Sequence, residues 1–136
     1  MSSIADLVTR FSEHERPTGI VLPPDVMTSQ AIAAVLKYSG YGDIESRTIE
    51  QIDPDTSLPI PLPIIDETCN LNNAEWAIIR PLFLLYVERE NAIYLEASRS
   101  LGLEVYGRSV SEISGDITQL EMDLPHLAFS QPIITV

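Results

Sequence analysis

A chain of 136 residues with 45% hydrophobic residues has the size and apolar content of one domain with a core of its own, which excludes wholesale disorder. Its formal net charge of −12 argues against gripping nucleic-acid phosphates or an anionic membrane surface, because both need clustered Lys and Arg. The single cysteine, Cys69, excludes an internal disulfide and a cysteine-based zinc site, and fits a reduced compartment.

The amino terminus, MSSIADLVTRF, lacks the basic start and apolar core of a signal peptide, and no apolar run approaches a membrane span. The expectation is a protein made and used in the cytosol, or in an assembly built there. Residues 3 to 14 read as a first helix, with Ser3 and Asp6 in a capping-box pattern and Ile4, Leu7, Val8 and Phe11 on one face. Pro17 and Gly19 end it, and Pro23 and Pro24 restrict the chain to an extended or turn path. A second helix is predicted from about Val26 to Tyr38, capped by Asp25, with apolar bulk from Met27, Ile32, Val35 and Leu36. Ala31, Ala33 and Ala34 mark either a close helix contact or simply good helix formers. Gly40 and Gly42 terminate the element.

Residues 43–71 read as a Pro-rich extended arm. Pro59, Pro61 and Pro63 on alternate positions exclude a helix, while Ile60, Leu62, Ile64 and Ile65 are apolar. Such a segment lies against its own domain or against a neighbouring subunit, since solvated linkers are more polar. Upstream, TIEQI (48–52) has the alternation of a short strand.

The stretch from Leu71 to Leu101 predicts the dominant helix. Asn72 and Glu75 form a capping box, and Leu71 and Trp76 sit where a hydrophobic staple would close over it. Trp76, Ile79, Phe83, Tyr86, Ile93, Ala97 and Leu101 form the apolar stripe, interrupted by Glu90. Glu90 therefore belongs to a subunit seam or pairs with Arg80, Arg99 or Arg108. Pro81 predicts a kink or break near Arg80, and Gly102 the end. A last helix of about fifteen residues follows, capped by Ser109 and Glu112, with Val110, Ile113, Ile117, Leu120 and Leu124 inward and Pro125 near its end. The tail, 129–136, reads as extended and apolar, packing on its own domain or adding to a partner as a strand.

The fold class is all-α: a small helical bundle in a single domain, 1–136, with one long kinked helix. Its parts are amino-terminal helices at 1–42, the Pro-rich extended arm at 43–71, the long and last helices at 72–128, and an extended C-terminal tail at 129–136.

No catalytic set, cofactor motif or metal-ligand spacing emerges. His14 and His126 are far apart and read as surface residues, Cys69 as a buried thiol, and the three charges Glu88, Arg89 and Glu90 point in different directions around a helix. Tyr86, Tyr94 and Tyr106 serve as interface anchors or core. Glu112, Asp116, Gln119 and Asp123 share one face of the last helix. That face is an ordinary solvated surface, a weak divalent-cation site on Glu112 and Asp116, or a deliberately acidic wall.

The stretch LYVERENAIYLEASRSLGLEVYGRSVSEISGDI (85–117) resembles the C-terminal half of the head-to-tail connector proteins of tailed bacteriophages, the adaptor or head-completion proteins between portal and tail. The likeness lies in the order of a long helix from Leu85 to Arg99, the VYGRSV turn and an acidic helix. It implies a structural virion neck protein, assembled in the host cytoplasm as a homo-oligomeric ring, commonly of twelve copies. Such a ring docks on the portal protein, bridges to a tail-side neck protein and extends a channel through which DNA passes without specific binding. The resemblance implies no enzyme, cofactor or membrane. On this reading Glu112, Asp116 and Asp123 face the channel. Partner contacts fall on Pro59, Ile60, Pro61, Leu62 and Pro63 and on Phe129, Pro132, Ile133, Ile134 and Val136. The alternative is a small acidic regulatory protein that imitates DNA.

Overall fold

The computed structural model describes residues 1–17, 20–47, 54–58, 64–99 and 109–129, with the backbone alone at 47, 98, 99, 128 and 129. Its architecture is all-α, with four helices among the described residues: α1 Ile4–Arg10, α2 Pro24–Ser39, α3 Asn73–Arg99 and α4 Val110–Phe129. A two-residue antiparallel ribbon pairs β1, Ser2–Ser3, with β2, Asn70–Leu71, in the register Ser2 to Leu71. α3 is the central element and packs against both α2 and α4, while α1 packs against α2.

The local signals explain where the helices start. Ser3 Oγ accepts from Asp6 N–H at 3.1 Å, and the four apolar residues predicted for the first helix, Ile4, Leu7 and Val8 of α1 and Phe11 just after it, are all buried. The helix then widens into a π turn at Phe11–Glu15 and stops at Arg16, which is extended because Pro17 follows it. At α3 the capping box closes in both directions. Glu75 N–H donates to Asn72 Oδ1 at 2.8 Å, and Asn72 N–H donates to Glu75 Oε1 at 2.9 Å.

α2 begins earlier than its polar residues suggest. Pro23 stands at the cap position and Pro24 opens the helix, so Asp25 lies in the first turn instead of capping it. A proline costs nothing at the first helical position, where its missing N–H has no partner to lose. Met27 and Val35 are buried as expected, but Leu36 is 53% exposed. Ala31 and Ala34 are fully buried and Ala33 is exposed, which supports close helix contact at two of the three alanines.

Neither internal proline ends its helix. α3 runs unbroken for 27 residues, about 40 Å at ~1.5 Å per residue, through an exposed Pro81. The carbonyl that Pro81 leaves without a donor belongs to Ala77, itself exposed, so water can take its place. α4 is longer than the predicted fifteen residues: it spans twenty and continues through Pro125.

The core is built on Phe83. Its ring meets Phe11 edge-on at 5.2 Å between centroids and Trp76 at 5.5 Å. Around it lie Ile4, Met27, Val35, Tyr38, Leu71, Ile79, Leu82, Val87, Ile113 and Leu124, all essentially without solvent contact. The buried arc of α3 is wider than the single predicted stripe, because two helices cover it: Leu82, Val87, Asn91 and Ala92 are inside as well. Past Ala92 the stripe fails, since Ile93 is 44% exposed and Ala97 is exposed too. Asn91 is buried with purpose: its Oδ1 accepts from Val21 N–H at 2.8 Å and holds the link before α2 onto α3.

Between α2 and α3 the described chain turns more than it extends. A 3₁₀ turn occupies Glu45–Arg47, and further turns occupy 54–56 and 66–68. The TIEQI segment, Pro59–Pro63, Leu101, Gly102, Tyr106, Arg108 and the tail contacts Pro132, Ile133, Ile134 and Val136 lie outside the described residues, as does the side chain of Phe129.

Candidate functional site: the acidic face of the last helix

Ser109 starts α4, accepting at Oγ from Glu112 N–H (3.3 Å) and at its carbonyl from Ile113 N–H (3.1 Å). Ile113, Ile117 and Leu124 are then buried, with Val110 and Leu120 packed beside them. That inward stripe dictates what faces out. Glu112, Asp116, Gln119 and Asp123 are all exposed and lie on the other side of the helix. Gln119 Nε2 donates to Asp123 Oδ1 at 3.3 Å along this face.

A polar node fixes the rotation of α4. Glu121, between the two faces, accepts at Oε1 from the Tyr86 hydroxyl of α3 at 2.6 Å. Its other oxygen lies 3.9 Å from Lys37 Nζ of α2, so one carboxylate touches all three large helices. The ion pair is long and partly solvated and contributes little energy, whereas the short Tyr86 bond is the stronger link. Lys37 also lies over the Tyr41 ring at 5.9 Å, and Arg89 over the Tyr86 ring at 5.1 Å. These cations face the helix seams. Away from α4, Glu15 pairs with Arg80 and Glu13 lies beside His14.

Of the three tyrosines considered as interface anchors, Tyr86 is core at 5% exposure and Tyr94 is half exposed. Glu90 is half-buried, and Arg80 is engaged by Glu15 at 2.9 Å. His14 and His126 are exposed and Cys69 is buried. Among the described residues no group of three or more His, Cys, Asp or Glu is arranged to hold a metal ion. An open cleft of about 390 Å³ lies between α2 and the turn at 66–68, lined by Asp25, Thr28, Ser29, Asp66, Glu67 and Thr68. Four of its polar side chains make local bonds: Thr28 and Ser29 donate to the carbonyls of Pro24 and Asp25, and Asp66 accepts twice from Thr68. Those two bonds hold the Asp66 carboxyl below the usual carboxylate range.

Burial sets the titration of the tyrosines. Tyr86 is pushed far above its ordinary value by burial first and then by the Glu121 hydrogen bond, and Tyr38 is raised by burial and then by Glu75 and Asp43. Both phenols favour the protonated form in the fold. Their contribution to stability is therefore complete below the unfolded value of about 10 and is lost as pH rises through the raised folded values. In an alkaline absorbance titration Tyr38 and Tyr86 will ionise above the ordinary tyrosine value of about 10, and together with unfolding. Substituting Tyr86→Phe will remove one of the late-titrating groups.

Glu121 escaped sequence reasoning, because its partners are 35 and 84 positions away and no local pattern marks it. No helix among the described residues is long and apolar enough to cross a membrane. No protein-family model matches the chain, and no curated protein or solved structure is significantly similar to it.

Proposed function

We propose that this chain is a structural neck protein of a tailed-phage virion, a connector that forms a ring under the portal, extends the DNA channel and bridges to the tail. The observation that carries the reading is the outward placement of Glu112, Asp116 and Asp123 on a helix whose rotation Glu121 pins. Repeated around a ring, such a face repels a passing duplex, because only cations could release its counterions and bind it. The arms support the same reading. Leu58 and Ile64, which bracket Pro59–Pro63, are 63% and 82% exposed, which supports a role for this segment in contact with a neighbour. The proline segment and the tail from Phe129 are the contacts this reading assigns to portal and neighbouring subunits. In sequence, the order of a long helix, the VYGRSV segment and an acidic helix resembles that of the connector proteins.

The test is co-expression with the portal protein encoded in the same genome, followed by mass measurement and electron microscopy. A ring of many copies on the portal is the expected result. Reversing three charges per subunit, with Glu112→Lys, Asp116→Lys and Asp123→Lys together, should leave the ring intact but make it retain duplex DNA. That retention should weaken steeply with salt. A monomer that ignores portal and inhibits a nucleic-acid enzyme would instead establish the regulatory, DNA-imitating alternative.

A further inference from the structure

The residues that follow α2 and those that lead into α3 are tied together by side chains. Glu45 N–H donates to Glu75 Oε2 at 2.9 Å, and Asn72 Nδ2 donates to Glu45 Oε2 at 2.9 Å. Ser46 Oγ donates to the carbonyl of Asn70 at 2.8 Å. The returning limb is held from its other side as well, where Ala5 N–H and Ile4 N–H donate to the carbonyls of Glu67 and Cys69 at 2.9 and 3.0 Å. Burial follows the same boundary. Ile44 is 2% exposed before the clamp, and Ile65, Cys69 and Leu71 are buried after it. Among the described residues between them, Pro54 to Leu58 and Ile64 are all exposed.

We propose that Glu45, Asn72 and Glu75 are a clamp that closes the root of residues 48–63, so that the bundle folds independently of what those residues contain. The physical basis is that the clamp bonds form between the two limbs themselves, and that the entropy of closing a loop depends only weakly on its length. Residues 48–63 would then be free to serve a surface role without contributing to the core. The inference does not depend on the neck reading, since it concerns folding alone.

The experiment replaces residues 48–63 by a Gly/Ser sequence of equal length in the full chain, which keeps the span and removes every apolar and charged side chain. Thermal melting and amide hydrogen exchange are the readouts. The expected result is a cooperative melt with Tm lowered by less than about 8 °C, the shift that losing one buried Ile or Leu would bring. The Glu45 amide should stay as protected as in the parent. A larger loss of Tm, a non-cooperative melt, or an unprotected Glu45 amide would overturn the proposal.

Discussion

Replacing Phe83 with alanine will destabilise the protein by about 3–5 kcal/mol, the range for deleting a buried aromatic ring. The site cannot collapse easily. Phe83 is fully buried, and its ring is gripped by Phe11 from the π turn and by Trp76 about two turns before it on α3. The cavity would open between the π turn and α3, and the edge-to-face contact with Phe11 would be lost along with the buried area. Against a total stability of about 5–15 kcal/mol for a domain, that loss takes a large share. Trp76 is the only tryptophan and lies against Phe83, so its fluorescence reports the site during urea unfolding. The midpoint should fall with an unchanged slope. A loss under about 1 kcal/mol would mean that the Phe11 and Trp76 contacts do not define the core.

The second large effect is expected at Glu75. Its side chain is 3% exposed and serves two backbone donors, Asn72 N–H at the start of its own helix and Glu45 N–H thirty residues earlier. Alanine leaves both without an acceptor in a buried place, at about 1–3 kcal/mol each. A total loss of about 2–4 kcal/mol is expected, well above the ~1 kcal/mol of an exposed cap such as Ser109→Ala. Glutamine will not rescue it fully. Its single amide oxygen can accept from one side, and its NH₂ would then face the other donor. Chemical denaturation of Glu75→Ala, Glu75→Gln and Ser109→Ala gives the ranking. Hydrogen exchange at Asn72 and Glu45 shows whether both amides are released. If Glu75→Ala costs no more than Ser109→Ala, the bond to Glu45 is dispensable.

The prolines and the outer α3 residues show where reading the chain alone went astray. Pro81 allowed a break near Arg80 and Pro125 stood near the expected end of the last helix, yet α3 runs through the first without a break and α4 continues four residues past the second. A proline removes one bond and crowds one turn, and packing along α2, α3 and α4 outweighs that local cost. Leu36, Ile93 and Ala97 were read as apolar bulk or stripe, yet all three are exposed. Conversely, Leu82, Val87 and Asn91 lay off the stripe and were buried because α3 is covered on two sides.

What the amino-acid order decided by itself was whatever depends on neighbours within a turn or two: the helical class, the caps at Ser3, Asn72 and Ser109, and the separation of Ile113, Ile117 and Leu124 from Glu112, Asp116 and Asp123. These follow from hydrogen bonds three positions apart and from a period of 3.6, which the chain carries locally. The tertiary structure alone decided the pairing of Ser2–Ser3 with Asn70–Leu71, the bond from Tyr86 to Glu121, the anchoring of Val21 by Asn91, and the second duty of Glu75. Each joins residues 30 to 70 positions apart, and such a bond exists only once packing has brought helices into one rotation and one register.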